Sequence, residues 1–256
     1  MKNIVIIGAG NVATHLAQAL YHKGLNILQV WSRTLLHAQE LAEKVAAEAC
    51  SNLKQISSEA ELYIFAVKDD ALASTLEAFP FANKKIVHTA GSLSSDLLKS
   101  SSAHYGVFYP LQTFSKHKAI NFREVPILIE ASTPALEDEL KHLALQISDT
   151  VQMVSSEQRK YLHISAVFAC NFSNYFYSIA QKILESNELD FDLIRPLILE
   201  TAQKAMIHAP ADVQTGPAIR RDTKIVNAHI EMLDKHPQWQ KIYTLLSHEI
   251  MALTKA

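Results

Sequence analysis

The 256-residue sequence predicts an α/β chain in two parts: a mostly parallel sheet with its helices over residues 1–153, and an all-helical part over 154–256. Three observations predict it. Short β-branched runs alternate with helix-period segments through the first half, the alternation stops near residue 154, and the first run leads straight into a glycine turn. Strands that alternate with helices build a parallel sheet covered on both faces.

Each element has its own signal. Ile4–Ile7 is a continuous β-branched run, as a buried parallel strand requires. Asn11–His22 repeats apolar residues at helical spacing (Val12, Leu16, Ala19, Leu20), and Gly24 stands where a helix is stopped by glycine. Ile27–Trp31 is a second strand, and Leu35–Glu48 an alanine-rich helix. Leu62–Val67, Ile86–Thr89, Tyr105–Tyr109 and Pro126–Glu130 continue the sheet, with a short helix at Leu72–Phe79. Pro134 opens a helix that runs to Ile147, a position its fixed φ suits, and Val151–Val154 is the last strand. Ser155 with Gln158 then spells a capping box, opening a long helix to about Glu185. Further helices fit Phe191–Ala209, Asp222–Leu233 and Gln238–Thr254, the first of them starting late enough to keep Pro196 in its opening turn.

Composition excludes several classes. Apolar residues make up 48% of the chain, enough for a sizeable core. The net charge is −2 and Lys or Arg never run beyond two, so no nucleic-acid footprint is expected. No apolar stretch approaches the roughly 20 residues of a membrane helix. Cys50 and Cys170 stand alone, at no metal-binding or redox spacing, which suits a reducing compartment. The expectation is a cytoplasmic protein without metal, nucleic-acid partner or membrane.

Gly8-Ala9-Gly10-Asn11-Val12-Ala13 sits between the first strand and first helix. Gly8 allows the tight turn, Gly10 lets a pyrophosphate approach the backbone, and Ala13 is small enough for close helix–strand packing. The helix N-terminus offers unpaired N–H groups to phosphate. This is the dinucleotide fingerprint of a Rossmann-type domain, with Gly8, Gly10, Asn11 and Val12 as candidate contacts. An NAD site places an acid at the end of the second strand. Here Ser32, Arg33 and Thr34 stand there, a base and two hydroxyls suited to a 2′-phosphate, so NADP(H) is the expected cofactor. Val67 and Lys68 end the Leu62 strand, where the backbone would skirt the cofactor, while Asp69 and Asp70 read as helix-cap and surface residues. His88, Thr89 and Ser92 lie at the end of the Ile86 strand, where ligands of parallel sheets bind, although loop capping explains Thr89 and Ser92 equally well.

Four further segments are distinctive: Val87-His88-Thr89-Ala90-Gly91-Ser92, Phe108-Tyr109-Pro110-Leu111-Gln112-Thr113-Phe114, Ala169-Cys170-Asn171-Phe172-Ser173-Asn174 and Gln214-Thr215-Gly216-Pro217-Ala218. With the fingerprint, they make the whole chain resemble a bacterial family that joins a Rossmann-like domain to a helical domain of unknown function. More distantly it is similar to ketopantoate reductases, pyrroline-carboxylate reductases, deazaflavin-dependent NADP reductases and β-hydroxyacid dehydrogenases. The resemblance implies that the helical part dimerises and closes the active site against the nucleotide domain.

Helical geometry adds a candidate site. With His163 at zero and 100° per residue, Lys160, Val167, Asn171, Asn174, Ser178 and Gln181 fall within about 80° of one another. Tyr161, Phe168, Phe172, Tyr175, Ile179 and Ile183 occupy the opposite face. The polar face carries few charges, as a wet cleft would, though a face bonded to neighbouring helices reads the same way. The apolar face suits a second copy of the chain, since about 100 residues bury poorly on their own. Resemblance to ketopantoate reductases puts His163 at their catalytic lysine, Val167 at their first asparagine and Asn171 at their second. His163 is thus the candidate proton donor, with Asn171 holding substrate and Lys160 as the other possible donor. Ser92, Gln112, Asn174 and Arg220 are candidate substrate contacts, Arg220 alternatively pairing with Asp222. The expected function is NADPH-dependent reduction of a small carbonyl or imine substrate bearing a carboxylate. A non-catalytic NADP(H)-binding sensor and hydride exchange with a deazaflavin are the alternatives.

Overall fold

The structure is a computed structural model and describes residues 1–116 and 118–253. The chain divides into two compact units, Met1–Cys170 and Asn171–Ala256.

Among the described residues, the first unit is built on eight strands: β1 (Asn3–Ile7), β2 (Asn26–Trp31), β3 (Glu48–Cys50), β4 (Leu62–Phe65), β5 (Ile86–His88), β6 (Tyr105–Pro110), β7 (Ile127–Ala131) and β8 (Val151–Met153). Their order in the sheet is β3-β2-β1-β4-β5-β6-β7-β8. Every neighbouring pair is parallel except β6 and β7. Helices α1 (Asn11–His22), α2 (Leu35–Ala42), α3 (Asp69–Glu77) and α4 (Pro134–Leu145) cover it. Ile4 through Ile7 of β1 are fully buried, because both faces of the sheet are covered. One face packs Ile4 and Ile6 with Leu16 and Leu20 of α1, Leu41 of α2 and Leu140 of α4. The other packs Val5 and Ile7 with Tyr63, Phe65 and, from α3, Leu72 and Leu76. Double burial is why these strands read as unbroken apolar runs rather than alternating ones. The strand order reverses between β1 and β4, so a crevice opens beyond their carboxyl ends, where ligands of such sheets bind.

One helix of the sheet region ends earlier than its sequence suggested. The helix from Leu35 stops at Ala42 and tightens over Glu43–Val45, and Ala46 takes a left-handed φ of 49°. That reversal releases the chain into β3, an edge strand too short to show any alternation. Within the mostly parallel sheet, β6 and β7 pair antiparallel.

Ser155 accepts from the Gln158 backbone at 3.3 Å, and the Gln158 side chain accepts from the Ser155 N–H at 3.1 Å, so the capping box forms. It opens α5 (Ser156–Ala166), which belongs to the first unit. The helix continues through a π-helical stretch, Val167–Phe172, into α6 (Ser173–Glu185).

The second unit holds α6, α7 (Arg195–Ile207), α8 (Thr223–Met232) and α9 (Pro237–Ala252). A separate tight turn, Phe191–Ile194, precedes α7 and leaves Pro196 in the first turn, where its missing N–H costs nothing. Asp222 caps α8 by accepting from Ile225 at 3.2 Å. Thr254, expected in the last helix, lies outside the described residues. A hydrogen bond between His229 Nδ1 and the Tyr243 hydroxyl (2.7 Å) joins α8 to α9, with Gln240 donating to the Ile230 carbonyl at 2.8 Å. This unit buries little: among its described residues, Ala218, Val226 and Ser247 are the buried ones, while Met206 is 85% and Met232 77% exposed. Among the described residues, no helix is long and apolar enough to cross a membrane.

Candidate active site

The crevice at the β1–β4 switch is shaped by two glycines for different reasons. Gly8 has φ +128°, and a Cβ there would come within 2.2 Å of the Ala66 carbonyl oxygen. It is the residue that lets β1 turn away while staying against β4. Gly10 caps α1 in an extended conformation, with no side chain bonded to the first-turn N–H groups. A Cβ on Gly10 would meet nothing within 4 Å, so the space over the helix N-terminus is open.

That space belongs to a cavity of about 290 Å³ whose lining includes Gly8, Gly10, Ser32, Arg33, Val67 and Lys68. His37 and Lys116 line it as well, and no Asp or Glu does. Backbone N–H groups at a helix end and three cations without a carboxylate fit a phosphate-rich dinucleotide, including one with a 2′-phosphate. Ser32 Oγ accepts from the Thr34 N–H at 3.4 Å, and its own proton is left to donate. Thr34 precedes α2, and Val12 is half-buried in α1; neither lines the cavity.

Lys116 gave no signal in the sequence. It reaches the crevice because the segment before it is tied to α1. Asn11 Nδ2 donates to the Phe114 carbonyl at 2.9 Å, and His15 Nε2 bonds the Ser115 carbonyl at 2.9 Å and stacks on Phe114 at 5.2 Å. The Asn11 side chain, expected at the cofactor, thus fastens a loop 103 positions away.

His88 is not brought to the cavity. It is wholly buried, its Nδ1 accepts from the Ala90 N–H at 3.1 Å, and its Nε2 contacts the Ser94 carbonyl at 3.3 Å. Burial, helped by the charge of Arg159, pushes its pKa down to about 4. An unfolded histidine titrates near 6.5, so this group's contribution to stability is complete above about pH 6.5 and is lost as pH falls towards 4. Between pH 7 and pH 5 the loss is about 2 kcal/mol. Urea unfolding at the two pH values should show it, and a His88→Asn variant should lack that share of the difference.

A second group of side chains meets along the carboxyl edge of β4, β5 and β6. Tyr109, at the end of β6, places its hydroxyl 3.3 Å from His163 Nδ1 on α5. Gly91 runs directly beside the pair: a Cβ there would come within 2.6 Å of His163 Nδ1 and 2.9 Å of the Tyr109 hydroxyl. Glycine at 91 is therefore a condition of the contact. Burial raises the Tyr109 pKa, with Asp69 adding to it against Arg159, so the phenol keeps its proton. Among the described residues, Nε2 of His163 has no hydrogen-bond partner. Next to this pair, the Ser92 hydroxyl donates to Asp69, so Asp69 does more than the surface role its position at the start of α3 suggested.

Behind the pair lies a charge that sequence reading missed. Arg159, one turn before His163, is fully buried. Its Nη1 donates to Glu130 on β7 at 2.6 Å, and Nη2 donates to Ser156 Oγ at 3.1 Å and to the Leu93 carbonyl. Ser95 donates to the other Glu130 oxygen at 3.0 Å. Burial alone would raise the Glu130 pKa; the Ser156 and Arg159 bonds and the guanidinium charge outweigh it and hold the carboxyl below its ordinary value. The network ties α5 to β7 and to the loop after β5.

Other expected site residues are dispersed. Lys160 is exposed, and so is Gln112, whose side chain accepts from the Thr113 N–H at 2.8 Å. Asn171 lies in the π-helical stretch, whose bonds reach five residues rather than four. The 100° spacing that grouped Asn171 and later residues with His163 therefore does not hold there. In the second unit, Asn174 lines a cavity of about 490 Å³ with Tyr177, Ser178, Gln181 and Arg195. Arg220 is exposed on a turn.

Comparison with known proteins bears on the family and the fold. Residues 3–91 match the family described as NADP oxidoreductase, coenzyme F420-dependent, and residues 125–250 match a domain of unknown function, DUF2520. A Bacteroides fragilis protein described as an NADP oxidoreductase is 45% identical, with 98% of each chain covered and a TM-score of 0.93. A Thermotoga maritima protein is 22% identical over 96% of each chain, with a TM-score of 0.74. A reductive aminase from Aspergillus terreus, solved with NADPH and ethyl-5-oxohexanoate, is 18% identical with a TM-score of 0.70, covering 98% of this chain and 92% of its own. At such low identity the last two show a shared fold. No curated protein sequence matches the chain. With a full-length relative at 45% identity and both segments in order, the chain belongs to this family of NADP oxidoreductases, a Rossmann-like NADP domain followed by a DUF2520 domain.

Proposed function

We propose that the chain is an NADPH-dependent reductase of a small carbonyl or imine compound bearing a carboxylate. The observation that carries this reading is the proton-holding pair of Tyr109 and His163, pressed against Gly91 on the same edge of the sheet as the carboxylate-free crevice. Bound NADPH supplies the hydride. The N–H groups of the first turn after Gly10 hold the pyrophosphate, and Arg33 with Ser32 holds the 2′-phosphate. Hydride addition leaves negative charge on the carbonyl oxygen or imine nitrogen. His163 gives that atom a proton through Nε2 while Tyr109 fixes the ring through Nδ1. Histidine is the side chain most often used for such proton transfer. The pair favours turnover over passive NADP(H) sensing, because binding alone needs no proton donor.

In this reading residues 1–153 form the nucleotide domain and 154–256 a helical domain for substrate and dimerisation, in a cytoplasmic homodimer. Large apolar side chains stand exposed on the second unit, among them Leu197 at 64% and Leu245 at 61%. Their number suits burial against a second copy. Light scattering at micromolar concentration is expected to give twice the 28.6 kDa chain mass; a monomer mass would count against the dimer. The function itself is tested by following NADPH oxidation with a panel of 2-oxo acids and cyclic imines. Turnover of a member of that panel is the expected result, and NADPH binding without turnover of any would favour the sensor.

A further inference from the structure

On the outer side of α1 lies a second cavity, of about 480 Å³. Its charge is one-sided. Lys23 follows α1, Lys44 follows α2, and Lys116 and Lys118 come from the loop after β6, all four turned to the same space. Arg123 is also in its wall but is committed to Asp149 at 3.1 Å and to the carbonyls of Leu145 and Gln146. None of the four lysines has an ion-pair partner among the described residues, and no Asp or Glu lines the cavity. The whole chain carries more acids than bases, 26 against 24, so a wall with five cations and no acid is not what composition would give.

Ordinary helix chemistry explains only part of this. A lysine at the end of α1 favours the negative end of the helix dipole. That accounts for Lys23, but not for three further lysines converging from α2 and a distant loop. Like charges brought together repel, and the arrangement is tolerated most readily where an anion is to be held between them. The floor is apolar, with Ile120, Phe122 and Ile147, and His15 and His22 stand on the α1 side.

We propose that this cavity is a second phosphoanion site, for a small molecule carrying at least three negative charges on a phosphate chain. Concavity favours a small molecule over RNA, which needs an extended basic stripe that this chain of net charge −2 does not have. Lys116 lines both this cavity and the dinucleotide crevice. An anion held here therefore touches the same side chain as the bound cofactor. The apolar floor would accept the organic part of a nucleotide, whereas bare polyphosphate uses the lysines alone.

The test uses the full-length protein, saturated with NADPH, titrated by calorimetry with inorganic tripolyphosphate and separately with adenosine triphosphate in 150 mM-range salt. Both are expected to bind. Tighter binding of adenosine triphosphate identifies a nucleotide as the ligand, and equal binding identifies the phosphate chain alone; either supports the site. The Lys44→Gln/Lys118→Gln double variant should weaken tripolyphosphate about tenfold, as two exposed charge contacts would, and leave NADPH affinity unchanged. Arg33→Asp, which acts in the dinucleotide crevice, should leave tripolyphosphate binding intact. That arm separates the two readings: if NADPH fails to bind the native protein, the reductase proposal falls while this site stands on the lysine variants. Tripolyphosphate that binds only when NADPH is absent, or binds the double variant as well as the native protein, would overturn it, as would no binding at all.

Discussion

Arg159→Ala is expected to lower the unfolding free energy by about 3 kcal/mol, a large share of what a domain has. The guanidinium is fully buried, and its removal strands Glu130 with Ser95 and Ser156 for company but no counter-charge. Breaking one side of a buried pair costs about 3–5 kcal/mol, and the lower end applies because the Glu130 side chain is still 22% exposed. Removing both charges, as in Arg159→Met with Glu130→Gln, should cost clearly less than Arg159→Ala alone, because no buried charge is then left unpaired. The sign of the pH effect follows from Glu130, whose pKa is held below its ordinary value. The pair's contribution is complete above the unfolded glutamate pKa, about 4.3, and is lost as pH falls through the lower folded value. Urea denaturation of the two variants at pH 7 is the check; a loss below about 1 kcal/mol for Arg159→Ala would mean the network is not holding α5.

His163→Ala is expected to cut turnover of the identified substrate by about 100-fold or more, with NADPH affinity little changed. His163 lies against Gly91, its ring 3.3 Å from the Tyr109 hydroxyl, and neither residue lines the phosphate-binding crevice, so its loss would remove the proposed proton donor without touching the phosphate contacts. Tyr109→Phe should have a smaller effect, because it frees the ring's orientation but leaves the donor in place. If His163→Ala kept near-native turnover, the proton would have to come from elsewhere, and exposed Lys160 would be the residue to test next.

Much of this was legible in the sequence, for a physical reason: it is encoded locally. The Gly8–Gly10 turn and the Ser155–Gln158 box each depend on residues a few positions apart, and both formed as expected. The sheet was legible because double burial leaves unbroken apolar runs. What was not legible depends on distant pairing. Arg159 finds Glu130 only once β7 runs antiparallel to β6, and Lys116 reaches the crevice only through the Asn11–Phe114 tie. His88 ends a strand just as a ligand residue would, yet the loop over it uses both ring nitrogens. The helical face drawn through Asn171 assumed a regular α-helix, and hydrophobic spacing carries no sign of the π-helical stretch at Val167–Phe172.

The central claim is that this crevice takes NADPH, and Arg33 is its clearest statement. Calorimetric titration of the native protein with NADPH and with NADH tests it directly. NADPH is expected to bind at least tenfold more tightly than NADH, about 1.4 kcal/mol, with the preference reversed in Arg33→Asp. Equal affinities for the two cofactors in the native protein would contradict it.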